Sequence, residues 1–92
     1  MLTKVAESTF TAPLVDNSHE IRSIGTHSST MTLYEDEGSY QIEWYIPALD
    51  EVYHIGLIFE GTTLVDYDGL YDLPKEAIAL VRQAGFIVPE DF

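Results

Sequence analysis

The stretch from Ser39 to Gly69, SYQIEWYIPALDEVYHIGLIFEGTTLVDYDG, limits what this chain can fold into more than any other part of it. Strict alternation of apolar and polar residues, rich in aromatic and β-branched types, marks half-buried strands. Tyr40, Ile42, Trp44 and Ile46 point one way, and Gln41, Glu43 and Tyr45 the other. Pro47 has no N–H to give and ends that ladder. From Val52 to Glu60 the odd row is Tyr53, Ile55, Leu57 and Phe59, and the even row is His54, Gly56, Ile58 and Glu60. A hairpin through Pro47–Glu51 must bring the two apolar rows onto one side, because a one-residue slip turns every side chain over. The expected pairing sets Trp44 opposite Ile55, Ile42 opposite Leu57 and Tyr40 opposite Phe59. Tyr45 then faces His54, with Glu43 diagonal to it.

In the third strand of this stretch, Val65 and Tyr67 are expected in the core and Asp66 in water, since an unpaired carboxylate in a core is expensive. That parity requires an odd-length turn or a bulge around Glu60–Thr62, with Gly61 supplying a positive φ. Upstream, Thr30–Glu35 alternates and leads through the turn residues Asp36, Glu37 and Gly38 into Ser39, so it reads as the first strand of a meander. Downstream, Pro74 is placed at the first helical position, with Asp72 near the cap and Glu76 in the first turn. Ala77, Ile78, Val81 and Ala84 recur at helical spacing, and Gly85 is the expected terminator.

The expected fold is therefore α+β: an antiparallel meander of three to five strands with one C-terminal helix, about 74–84, packed on one face. The strands are about 30–35, 39–46, 52–60 and 63–67, with 19–24 and 86–88 as candidates for more. Ninety-two residues suit a single domain spanning 1–92. Its first 18 residues (1–18) are punctuated by Pro13 and by Asp16-Asn17-Ser18, and read as a loosely packed arm or edge strand. Residues 19–27 read as a strand broken near Gly25, or as a loop.

Charge bears on function more than composition does. There are 16 acids against 4 bases, a net charge of −12. No Lys or Arg lies between Ser23 and Pro74, whereas Glu35, Asp36, Glu37, Glu43, Asp50, Glu51, Glu60, Asp66, Asp68 and Asp72 all do. Such a region repels nucleic acid and anionic lipid and attracts cations. With no cysteine there is no disulfide framework and no thiolate metal site. No leader-like apolar segment follows the first residues, and no run reaches a membrane span. The expectations are a cytoplasmic location, no membrane and no direct nucleic-acid binding.

Catalytic patterns are missing. None of the serines lies in G-x-S-x-G or S-x-x-K, and no glycine-rich phosphate loop occurs. His19, His27 and His54 lack metal-type spacing, so no cofactor or metal is expected. His54 beside Glu43 reads as an ordinary cross-strand contact. Asp66-Tyr67-Asp68-Gly69 resembles a calcium loop, but aligning Gly69 with its invariant glycine puts Leu64 and Lys75 at ligand positions. An enzyme is not expected.

The leading expectation is a small acidic interaction module that binds a basic protein surface, a nucleic-acid mimic or inhibitor being its sharpest form. Its contact residues would be Glu35, Asp36, Glu37, Glu43, Asp50, Glu51 and Asp66 for charge, with Tyr45 and Ile58 as apolar contacts. Two alternatives stand beside it. One is a structural domain that forms a homodimer and is acidic for solubility; the other is a carboxylate-based cation-binding domain.

Overall fold

The computed structural model describes residues 2–16, 22–69 and 73–92. It is an α+β fold, an antiparallel sheet with one helix. The strands are β1 (Thr3–Asp16), β2 (Arg22–Asp36), β3 (Ser39–Ile46), β4 (Glu51–Glu60) and β5 (Thr63–Asp68). They lie side by side in chain order. The helix α1 (Lys75–Gln83) follows, and a single 3-10 turn, Pro47–Leu49, joins β3 to β4.

The N-terminal arm is a full strand. β1 pairs with β2 from Thr3↔Glu35 to Asp16↔Arg22. Thr30–Glu35 is thus part of the second strand, not the first. Alternation in β1 is hidden by a bulge: the register skips Val5, so Ala6 and Phe10 reach the core while Val5 stays exposed. A second skip passes over Ile24, opposite Leu14 and Val15. The break expected near Gly25 is therefore a bulge inside a continuous strand. Of the candidate strand 19–24, residues 22–24 belong to β2 and the rest lies outside the described residues.

β3 and β4 keep the expected faces but shift by two residues. Trp44 pairs with Tyr53, Ile42 with Ile55 and Tyr40 with Leu57. Glu43 is directly opposite His54, not diagonal to it, and Tyr45 is opposite Val52. A shift of two preserves every in/out assignment, so face patterning alone does not select between these registers. The connection does. The 3-10 turn is followed by Asp50 at φ 51, whose N–H donates to the Pro47 carbonyl at 3.1 Å. That closes the chain early enough for Ile46 to pair with Glu51.

The β2–β3 and β4–β5 hairpins turn on two residues, as close pairing of right-twisted strands favours. Glu37 (φ 51) and Gly38 (φ 87) are both left-handed between Asp36 and Ser39. Gly61 (φ 65) precedes Thr62 between Glu60 and Thr63. An even turn there leaves the parity of β5 to be corrected within the strand. A bulge does so: Leu64 pairs with Phe59, Asp66 with Ile58 and Tyr67 with Leu57, and Val65 is the extra residue. Leu64 is fully buried, whereas Val65 is 45 % exposed. The expectation that Val65 fills the core is overturned; Asp66 and Tyr67 lie on the sides expected of them.

Met31, Leu33, Ile42, Ile55, Leu57 and Leu64 line one side of the sheet and pack against Leu73, Ala77, Leu80, Val81 and Val88. Tyr40 meets Phe59 and Phe86 edge-on, and the Phe59 and Phe86 rings are tilted by 33° with centroids 4.4 Å apart. Pro74 is the N-cap residue, one position before the helix proper, because its ψ of 151 is extended. The expected helper Asp72 lies outside the described residues. At the other end Gly85, at φ 97, closes a Schellman motif: its N–H donates to the Arg82 carbonyl and the Phe86 N–H to the Val81 carbonyl. Residues 86–88 form no strand. Ile87 makes one parallel bridge to Thr63, with hydrogen bonds of 2.8 and 2.9 Å. The Arg82 guanidinium donates to the Val88 carbonyl at 2.8 Å and fastens that segment.

Candidate functional site: the uncovered sheet face

The helix and the C-terminal segment cover one side of the sheet; among the described residues no element covers the other. Strand register assigns its residues. From β3 come Gln41, Glu43 and Tyr45; from β4, Val52, His54, Gly56, Ile58 and Glu60. β5 adds Asp66 and Asp68, β2 adds Thr30, Thr32, Tyr34 and Asp36, and β1 adds Lys4, Glu7 and Thr9. The face has two halves. Over β1 and β2 it is largely hydroxyl, with Thr9 and Thr30 oxygens 3.3 Å apart and Thr32 donating to Glu7 at 3.2 Å. Over β3–β5 it is acidic and apolar.

Of the residues expected to bind a partner, Glu43, Tyr45, Ile58 and Asp66 share this face, and Asp36 stands at its end. The others disperse. Glu35 pairs with Tyr40, and Glu51 with Ile46, so both belong to the helix side. Glu51 accepts a hydrogen bond from the Tyr53 hydroxyl there. Glu37 and Asp50 occupy turns at opposite ends of the sheet. Sequence runs such as Glu35-Asp36-Glu37 look like one cluster but split, because consecutive strand residues face opposite ways. Four apolar or acidic face residues were not among the contacts expected from sequence: Val52, 46 % exposed beside Tyr45, and the acids Glu7, Glu60 and Asp68. The even row of β4 was the available signal for Val52.

Basic groups are scarce among the described side chains of the open face. Among the described side chains, Lys4 is the one Lys or Arg on the open face, 3.8 Å from Glu7 on the same edge strand. Lys75 and Arg82 both belong to α1. His54 Nε2 lies 3.7 Å from Glu43 Oε1, and both side chains are well exposed. An exposed pair of this kind contributes at most about 1 kcal/mol. Asp68 has no such partner among the described residues. Asp66 accepts a hydrogen bond from the Tyr67 N–H at 2.8 Å, so it serves the strand as well as the surface.

Both described sheet edges are partly blunted. On β1, Lys4, the bulge at Val5 and Pro13 interrupt the row of free backbone groups. On β5, Ile87 takes the Leu64 N–H and Asp66 takes that of Tyr67. Among the described residues no group of three His, Asp or Glu gathers as metal ligands do, and no helix is long and apolar enough to cross a membrane. No family model matches this chain, and neither a curated protein nor a solved structure does.

Proposed function

We propose that this protein is an acidic interaction module whose open sheet face docks onto a basic protein surface. One observation carries the reading: among the described residues the sheet is covered on one side and bare on the other, and the bare side holds Glu7, Glu43, Glu60, Asp66 and Asp68 against Lys4 alone of the described Lys and Arg side chains. Such a field steers cations toward the face and repels nucleic acid. Exposed Tyr45, Val52 and Ile58 supply desolvatable area between the charges. Carboxylates standing in for phosphates would make the face a mimic of nucleic acid toward a basic protein. The blunted edges favour the face over strand addition as the route of association.

The test compares two triple variants of equal charge. One, Glu43→Gln, Asp66→Asn and Asp68→Asn, neutralises the face and leaves an acceptor for the Tyr67 N–H. The other, Glu76→Gln, Glu90→Gln and Asp91→Asn, neutralises α1 and the tail behind it. With protamine as probe at low ionic strength, the face variant binds about tenfold more weakly than the other and shows a shallower salt dependence. Equal loss in both variants refutes the assignment to this face.

A further inference from the structure

We infer that the occupant of the open face is a basic amphipathic helix, about four turns long, lying along β3 and β4. The inference rests on the proposed docking face and adds the form of the partner. Its first ground is the blunting of the edges, by Ile87 and Asp66 on β5 and by the bulge at Val5 and Pro13 on β1, which favours the face as the contact surface. An extended segment on a sheet face keeps unsatisfied backbone groups unless it brings its own sheet, whereas a helix satisfies its backbone internally. The opposite face already accepts a helix in this way.

The second ground is the order of side chains along the face. Register sets four successive rows: Tyr45 with Val52, Glu43 with His54, Gln41 with Gly56 and Asp68, and Ile58 with Asp66. Apolar side chains exposed by 43–48 % therefore stand at both ends of a stripe. Carboxylates lie between them and beside the far end. Six residues separate Val52 from Ile58, which at strand rise is about 20 Å. At helical rise that is about thirteen residues. Gly56 in the middle has no side chain to obstruct a cylinder laid along the stripe. The matching helix carries an apolar residue in its first and last turns and Lys or Arg on the same face between them.

The probe is a synthetic peptide of that pattern, with leucine at both ends of one face and lysine between, on an alanine–glutamine background. Its control has the same composition with leucines and lysines spread around the helix. The patterned peptide binds the native protein about tenfold tighter than the control and gains helical circular dichroism on binding. In the variant Tyr45→Ser/Val52→Thr, whose altered side chains are exposed in the native fold, that advantage disappears while control binding is unchanged. Equal affinity for both peptides, or tighter binding without helix gain, overturns this inference and leaves the basic-partner reading standing. No binding of either peptide at low salt overturns both.

Discussion

Leu64 and Val65 are adjacent, both aliphatic, and assigned opposite roles by a bulge one residue wide. Truncating each to alanine tests that geometry. Leu64 is fully buried, so Leu64→Ala forfeits its whole transfer free energy and leaves a cavity, about 2–5 kcal/mol. Val65 is 45 % exposed and lines an open hollow with Tyr67, Leu73, Asp91 and Phe92. Val65→Ala removes two carbons worth about 0.8 kcal/mol each when buried, and roughly half of that is already hydrated, so the loss is under about 1 kcal/mol. For 92 residues, an unfolding entropy of about 2 cal/mol/K per residue converts 3 kcal/mol into about 15 °C of Tm. The valine variant then shifts by less than about 5 °C. Urea and thermal unfolding followed by Trp44 fluorescence measure both, since the indole packs between Phe10 and Tyr53 in the native state. If Val65→Ala proves as damaging as Leu64→Ala, the bulge is misplaced, and the parity correction belongs in the Glu60–Thr63 turn after all.

Other outcomes follow from the turns and edges. Glu37 holds a left-handed conformation that asparagine tolerates better, so Glu37→Asn raises stability by about 0.5–1 kcal/mol in urea melts. A loss instead of a gain would show that the Glu37 side chain matters more than its backbone. Asp66→Ala frees the Tyr67 N–H at the β5 edge, and light scattering at high concentration detects more self-association than in Asp66→Asn, which keeps an acceptor. Equal scattering from the two variants removes the edge-guarding role.

The open face also explains why acidity and architecture suit one another here. Residues on one face of adjacent strands are about 5 Å apart across the sheet and about 7 Å along it, so several carboxylates share a surface within a Debye length or two. Their mutual repulsion weakens the isolated domain slightly and would be relieved by a basic partner of the kind proposed. On the helix side Lys75 and Arg82 offset part of the charge of Glu35, Glu51, Glu76 and Asp91.

The amino-acid order by itself determined which residues are strand and which helix from Thr30 onward, and which rows of β3 and β4 face the core. These follow from a two-residue period and from Pro and Gly punctuation, both local properties of the chain. It left β1 open between a loose arm and an edge strand, because Ala6, Ser8 and Thr9 are small or polar and become a strand by pairing with β2. Tertiary structure decided the register of β3 on β4, since shifts of two are degenerate until the Pro47–Asp50 turn closes. It also decided that Leu64 rather than Val65 is buried, because the two-residue Gly61–Thr62 turn and the Ile87 bridge leave the bulge as the way to put both Leu64 and Tyr67 against the core. The sorting of the nine described acids from Glu35 to Asp68 between a bare face, a covered face and two ends is likewise a product of pairing: alternation says that two residues differ in side, and only the assembled sheet says which side meets water.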